Sequence, residues 1–215
     1  MFQLAYLKNK NTRYYNTRHN NVRYMRHSVL IATLCAGFLL SSCAPAVVAA
    51  GASGAVVTAD RRSAGTMVDD KTIEMKAFHA FASDKALWKK AHITAISYNN
   101  VVLLVGQTPT EELKAEAERI IDGIPKVRTV YNEITIGSPI KYKQRSMDTW
   151  ITTQMKSRLL STPVVKPTQV KVITENGTLY LMGLLTEPEE EETIRLAKQI
   201  KNVRSIVKMF ETVQK

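Results

Sequence analysis

Few side chains in this 215-residue sequence have the types and spacing that catalysis or metal binding requires. His79 and His92 are the histidines beyond residue 27, and neither has a cysteine or carboxylate at ligand spacing. The acidic run Glu187–Glu192 falls in the first turn of a predicted helix, where carboxylates favour the positive end of the helix dipole. No serine lies in a nucleophile elbow. The sequence therefore predicts no enzyme, no metal site and no cofactor.

A cysteine near the amino terminus offers different chemistry, namely lipid attachment. Arg26 and His27 form a positive end, an apolar run extends from Val29 to Leu40, and small residues precede Cys43. This order predicts a signal peptide over 25–42, too short for a comfortable transmembrane helix. The LSSC stretch that ends at the cysteine resembles the bacterial lipobox, which implies cleavage before Cys43 and a lipid on it. An uncleaved membrane anchor with an incidental cysteine is the alternative.

The segments on either side of this signal contribute no core. Residues 1–24 contain five basic residues, no acid and no apolar periodicity. They are either a mis-called extension, with Met25 as the true start, or a long positive region of the signal. Residues 43–68 comprise the lipidated cysteine and a predicted flexible tether rich in Ala, Gly, Ser and Val. Ala44, in place of an aspartate, implies by the lipoprotein rule an outer-membrane location.

Charge and cysteine usage restrict the class of protein further. The formal net charge is +11, but from Ala44 onward 24 basic residues face 19 acidic ones. This surplus is small, so no nucleic-acid partner is expected. Cys35 leaves with the signal and Cys43 carries lipid, so apolar cores without disulfides must stabilise the fold.

The rest of the chain is an internal duplication. The stretch ITAISYNNVVLLVGQ aligns with VKVITENGTLYLMGL, which matches Asn99-Asn100 to Asn176-Gly177 and Gly106 to Gly183. Asn-Gly between alternating apolar runs predicts a hairpin, because both turn residues tolerate positive φ. Gly106 and Gly183 indicate a tight turn or a close backbone approach.

Helices flank each predicted hairpin. The preceding helices are predicted over 70–82 and 148–160, with one apolar face at i, i+4 and i+8. The following helices have Thr caps with Glu three residues on, in Thr108–Glu111 and Thr186–Glu189, and Pro109 would open the first of them. The matched apolar residues are Ile73, Ala77 and Phe81 in the first copy, and Ile151, Met155 and Leu159 in the second.

Each copy thus has the order α-β-β-α-β, which predicts an α+β fold with a three-stranded sheet and two helices on one face. The first domain is predicted over 69–137, a linker over 138–147, and the second domain over 148–215. Domains of this size are only marginally stable alone, so we expect the two copies to pack together.

The repeat resembles the BON domain, in its glycine after the second strand and its valine-rich third strand (Val127 and Val130; Val203 and Ile206). From Cys43 onward the chain resembles the dual-BON outer-membrane lipoproteins, known as division- and outer-membrane-stress-associated lipid-binding proteins. The stretches DRRSAGTMVDD and DTWITTQMKSRLL carry this resemblance. It implies a place on the periplasmic face of the outer membrane, binding of anionic phospholipid and a role in outer-membrane integrity.

The two copies differ in charge and in one helix face. The first copy has nine basic and nine acidic residues, and the second, with the linker, has 13 and eight. Trp150 and Leu160 lie outside the core stripe of the second copy's first helix, where the first copy has Thr72 and Ala82. Indole suits a lipid headgroup layer. The phospholipid-binding residues that the pattern and the resemblance together predict are Trp150, Thr153, Lys156, Ser157, Arg158, Leu160 and Ser161, with Lys141, Lys143 and Arg145 just before the helix.

Other interpretations stay open for both tryptophans and for the protein. Trp150 could pack on the first copy as an interdomain plug. Trp88, beside Lys89 and Lys90, is a rival lipid contact that we interpret as a loop anchor packing on its own domain. The protein could also be an assembly adaptor that docks on outer-membrane β-barrel machinery or on peptidoglycan-linked proteins, through the first copy or an open strand edge.

Overall fold

The computed structural model describes residues 60–214, which form two copies of one α+β unit. Numbered in chain order, the helices are α1 Ala64–Ser83, α2 Lys85–Lys90, α3 Glu111–Asp122, α4 Tyr142–Ser161 and α5 Glu187–Lys198, and the strands are β1 His92–Tyr98, β2 Val101–Thr108, β3 Thr129–Ile136, β4 Val170–Glu175, β5 Thr178–Leu185 and β6 Ser205–Thr212. The predicted order is confirmed, and α2 is an addition to it. Within 60–214, no helix is long and apolar enough to cross a bilayer.

Each copy contains a three-stranded sheet with the second hairpin strand at its centre. β1 pairs antiparallel with β2, and β2 pairs parallel with β3; β4, β5 and β6 repeat this arrangement. Parallel neighbours need a crossover connection, which α3 and α5 supply. The sheet topology therefore follows from the α-β-β-α-β order.

The helices of each copy cover one face of its sheet, as predicted. α1 and α3 pack on the face of β2 that carries Val102 and Leu104. α4 and α5 pack on the face of β5 that carries Leu179 and Leu181. The predicted apolar stripes point inward and are buried, with Ile73, Ala77, Ile151, Met155 and Leu159 at 0–1% exposure and Phe81 at 8%.

The other faces of the two sheets pack against each other. Leu103 and Val105 of β2 share one buried cluster with Tyr180 and Met182 of β5. Because side chains alternate across a strand, the layers run helices, sheet, sheet, helices, and α1 and α4 face away from each other. Burial raises the pKa of Tyr98 and Tyr180, both in this cluster, to about 12. The expected packing of the copies is confirmed.

A buried aspartate on the first helix of each copy holds the hairpin turn. Asn99-Asn100 and Asn176-Gly177 all have positive φ, as their sequence predicts. The carboxylate of Asp70 accepts hydrogen bonds from the amides of the first pair at 2.9 and 2.8 Å. The carboxylate of Asp148 accepts from the second pair at the same two distances. The same device therefore ties helix to hairpin in both copies.

These two helices begin earlier than predicted. α1 starts at Ala64, where the hydroxyl of Ser63 caps it, and α4 starts at Tyr142. The predicted starts at Asp70 and Asp148 are wrong. Both residues lie inside their helices, and their carboxylates bind the hairpin amides instead of capping a helix end. Lys143 and Arg145 thus lie in the first turn of α4, and Lys141 is its N-cap residue.

The last part of the predicted tether is ordered. Arg62 donates a hydrogen bond to Asp70 at 2.9 Å, and its guanidinium lies 3.9 Å from the centroid of the Tyr98 ring. Arg61 donates to Glu189 of the second copy at 2.6 Å. The tether prediction is therefore wrong for residues 60–68, and the rest of that segment lies outside the described residues.

The threonine caps are confirmed in one copy and shifted in the other. The backbone amide of Thr186 donates to the carboxylate of Glu189 at 2.8 Å, in the predicted capping box. In the first copy Thr110, rather than Thr108, is the cap, so Pro109 precedes α3 instead of opening it.

The matched glycines lie directly against neighbouring backbone. A Cβ on Gly106 would come within 1.9 Å of the carbonyl oxygen of His92, and Gly106 has φ +128°. A Cβ on Gly183 would come within 2.7 Å of the carbonyl oxygen of Gln169. The predicted close backbone approach is therefore confirmed at both.

Candidate functional site

The outward face of α4 carries three large, exposed apolar side chains. Trp150 is 57% exposed, Leu160 is 75% exposed and Tyr142 is 85% exposed. At 100° per residue all three project away from the buried stripe. Tyr142 and Leu160 are 18 residues apart, which is about 27 Å along a helix axis. Tyr142 was not among the predicted site residues, because the linker was predicted to extend over it and the helix to begin later.

Short polar side chains separate these apolar groups. Thr153, Ser157 and Ser161 are all exposed. The hydroxyl of Thr153 donates to the carbonyl of Thr149 at 2.9 Å, and that of Ser161 donates to the carbonyl of Arg158 at 2.8 Å. Because these hydroxyl protons are already bonded within the helix, covering the face with a less polar medium costs little.

Basic side chains surround one side and one end of this face. Lys141, Lys143, Arg145 and Lys156 are exposed. Within residues 60–214 none of the four lies in an ion pair. The first turn of α4 contains no acidic residue, although acids are the favoured charges there. These cations thus leave the helix with positive potential that an anionic partner would neutralise.

Arg158 lies on the flank of α4 rather than on its outward face. Its guanidinium donates to the side-chain amide oxygen of Gln199 at 2.8 Å, next to the end of α5. The structure therefore brings together six of the seven predicted binding residues, and it gives Arg158 a contact within the domain.

The interdomain plug interpretation of Trp150 is wrong. The contact between the copies consists of the two sheet faces, and the indole lies on the opposite side of its own sheet, more than half exposed. The cluster between the domains contains aliphatic side chains, tyrosines and methionines from the strands. Trp150 is therefore accessible to a partner other than residues 60–214 of this chain.

Trp88 also differs from its predicted setting. It lies in α2 rather than in a loop, and it is 61% exposed. Its ring meets the ring of Phe78 edge to face, with centroids 6.3 Å apart. The loop-anchor interpretation is therefore wrong, because Trp88 lies in a helix and is exposed. Its apolar neighbour is Phe78, a contact that the sequence did not reveal.

The acidic run at the start of α5 has partners within the protein. Burial would raise the pKa of Glu189, but hydrogen bonds from Arg61 and Thr186 outweigh it and hold the pKa below its ordinary value. Glu192 pairs with Arg195 at 2.7 Å. In the described part of the chain no three His, Cys, Asp or Glu residues are grouped to hold a metal ion. Cys43 lies outside the described residues.

Comparison with known proteins agrees with this architecture. The family model of the BON domain matches residues 69–138 and 147–214. The protein named outer membrane lipoprotein DolP, from Haemophilus influenzae, is 38% identical over 181 residues, which cover 84% of this chain and 94% of that protein. A 21 kDa hemolysin from Actinobacillus pleuropneumoniae is 40% identical over 155 residues, covering 72% of this chain and 80% of that protein.

Two copies of one small α+β unit, packed sheet to sheet, define a tandem-domain protein. The chain belongs to the BON-domain family, among the dual-BON outer-membrane lipoproteins. It is a lipid-anchored protein of the outer membrane.

Proposed function

We propose that this lipoprotein binds anionic phospholipid through the outward face of α4 and thereby helps to maintain the outer-membrane barrier. Cys43 carries the lipid in this proposal, and the protein catalyses no reaction. The observation that carries the proposal is the joint exposure of Trp150 and Leu160 on one face, beside cations that have no acidic partner among residues 60–214. Thr153, Ser157 and Ser161 lie between the apolar groups, and Arg158 supports the end of the helix from its flank.

The strength of this contact follows from its parts. Each basic residue near an anionic membrane contributes about 1 kcal/mol, and an indole gains from a place in the headgroup layer. The lipid anchor makes docking an intramolecular event, so a weak contact suffices to hold α4 on the bilayer. We expect docking to be reversible and to weaken as salt screens the surface charges.

The two tryptophans allow a direct test of docking. In the Trp88→Phe variant, Trp150 is the single emitting indole. The lipidated full chain is reconstituted in vesicles of phosphatidylglycerol with brominated acyl chains, and in matched phosphatidylcholine vesicles. We expect blue-shifted, quenched emission in the anionic vesicles, and recovery when the salt concentration is raised from 0.1 to about 1 M. Emission that is equally unquenched in both vesicles overturns the proposal.

An adaptor role has its own supporting observation. β3 is an outer strand of its sheet and exposes Tyr131 and Ile136, each 43% exposed. Such a strand can accept a strand from an envelope protein. A photo-crosslinking residue at Tyr131 and one at Trp150 separate the two roles, because an adaptor gives protein adducts at residue 131 whereas lipid docking gives lipid adducts at residue 150.

A further inference from the structure

An apolar cleft in the first domain lies between α1, α2 and the start of β1. Its volume is about 480 Å³, within the range of small-molecule binding sites. Phe81 and Leu87 form a buried floor, at 8% and 2% exposure. Phe78 and Trp88 form an exposed rim, and their rings meet edge to face. The cleft therefore leaves apolar surface in water that an apolar ligand would cover.

A polar pocket of about 420 Å³ lies along the flank of α4. Arg145 and Lys156 line it, and neither forms an ion pair within residues 60–214. Its two carboxylates already accept hydrogen bonds within the protein. Asp148 accepts from the hairpin amides, and Glu175 accepts from a side-chain amide of the first domain at 2.6 Å. The two cations are therefore the charged groups of this pocket that are available to a ligand, and phosphate oxygens are favoured acceptors for them.

The cleft and the polar pocket adjoin, because His92 lines both of them. It is the first residue of β1, and β1 and β4 are outer strands of their sheets. The polar pocket also includes Thr174 and Glu175, at the end of β4. On the same side Lys171 of β4 pairs with Glu74, which lines the cleft, at 3.3 Å. An apolar site and a cationic site therefore lie next to each other at one edge of the two-domain body.

This pair of sites complements an amphiphile that has an anionic head and an apolar chain. A phospholipid has both parts, with a phosphate at one end and acyl chains at the other. The polar pocket is continuous with the face of α4 at which the proposed function places anionic phospholipid, since Thr153 and Lys156 belong to both. The ligand in reach of the cleft is therefore a lipid of the same bilayer.

We infer that the two sites together hold one phospholipid molecule, with its phosphate beside Arg145 and Lys156 and one acyl chain in the cleft between Phe78 and Trp88. The inference rests on the proposed function for the choice of ligand, and it adds a lipid site that both domains build. The chain is apolar before and after it enters the cleft, so the gain comes from covering the two exposed rings. The second acyl chain stays in the bilayer.

Trp88 at the rim reports whether a chain enters the cleft. In the Trp150→Phe variant it is the single indole. The lipidated full chain is reconstituted in phosphatidylglycerol vesicles with brominated acyl chains, and in matched vesicles without bromine. We expect bromine to lower Trp88 emission about twofold, because the indole lies against the bound chain. Equal emission in the two kinds of vesicle overturns the inference.

Two histidine variants test whether the polar pocket takes part. His92→Glu places a carboxylate where the two sites meet, and we expect it to reduce the quenching of Trp88 about twofold, since like charges oppose binding of the phosphate. His79→Glu is the matched control, because this exposed histidine contacts the ring of Phe78 but lines neither site. It should leave the quenching unchanged. Equal quenching in both variants would show that Trp88 meets the bilayer without the polar pocket, and would overturn the inference.

The Trp88→Phe variant in the same vesicles separates this inference from the proposed function. Quenched Trp150 beside unquenched Trp88 overturns the inference and leaves the proposed function intact. Quenched Trp88 beside unquenched Trp150 overturns docking through α4 alone. Unchanged thermal melting of each variant shows that the fold is retained. The comparison of brominated and matched vesicles needs no substitution in either site, so it tests the inference even where a histidine variant unfolds.

Discussion

The helices α1 and α4 occupy matched positions in the two domains, yet they have similar residues only on the sides that face the core. Both have the same buried apolar spacing, and both use a buried aspartate to hold a hairpin. On the outward side α4 exposes Trp150 and Leu160, where α1 has Thr72 and Ala82. Packing restricts the inward residues, whereas solvent tolerates almost any outward residue. The outward differences are therefore where separate functions are to be sought.

Charge reinforces this contrast. In the second domain five of the eight acidic residues lie at the start of α5, where Glu189 caps the helix and pairs with Arg61. Within residues 60–214 none of the basic residues of α4 forms an ion pair with these acids. The first domain has balanced charges overall, but Lys85, Lys89 and Lys90 lie in the six-residue helix that contains Trp88.

Removing the hairpin-holding aspartates should have the largest effect and should differ between the domains. Asp70→Ala is expected to cost about 4 kcal/mol, because the loss leaves two hairpin amides and the Ser97 hydroxyl without their acceptor and removes one of the two carboxylates that pair with Arg62. Asp148→Ala is expected to cost about 2 kcal/mol, because its other partner is the neutral Gln144. Urea unfolding of both variants measures the difference. Equal losses would contradict the distinct role of Arg62.

The matched glycines give a smaller contrast. Gly106→Ala combines a severe clash with a backbone conformation that alanine rarely adopts, and we expect it to cost about 3 kcal/mol. Gly183→Ala meets a milder clash and should cost about 1 kcal/mol. Thermal melting of the two variants tests this order. A larger loss at Gly183 would show that its strand cannot shift to make room.

Exchanging one apolar residue between the copies should affect lipid docking but not stability. Leu160→Ala gives the second domain the first domain's residue and should weaken docking about tenfold, since it removes apolar area from the contact. Ala82→Leu, its matched control in the first domain, should leave docking unchanged. Trp150 emission in the Trp88→Phe background reports both. Equal effects of the two changes would remove the functional distinction between the helices.

The elements of this fold were predictable because their signals are local. The turn residues Asn176-Gly177 and the i, i+4, i+8 stripe ending at Leu159 each depend on near neighbours in the sequence. The helix starts could not be predicted in this way. Asp148 is of a type that often starts a helix, but its carboxylate binds a hairpin 28 residues away. Tyr142 was missed for the same reason.

Contacts between different helices could not be predicted from the sequence. Phe78 and Trp88 meet only because α2 turns back beside α1, an angle that no local pattern specifies. The sheet-to-sheet interface did leave a signal. The unbroken apolar run from Val101 to Val105 indicates a strand buried on both faces, and such a strand needs a second layer against it.

The segment that leads into the folded body has a mechanical consequence. Arg62 attaches it to the first domain, and Arg61 attaches it to the second. The chain therefore joins the folded body where the two domains meet, rather than at the far end of either domain. A pull along this segment would load both domains at once.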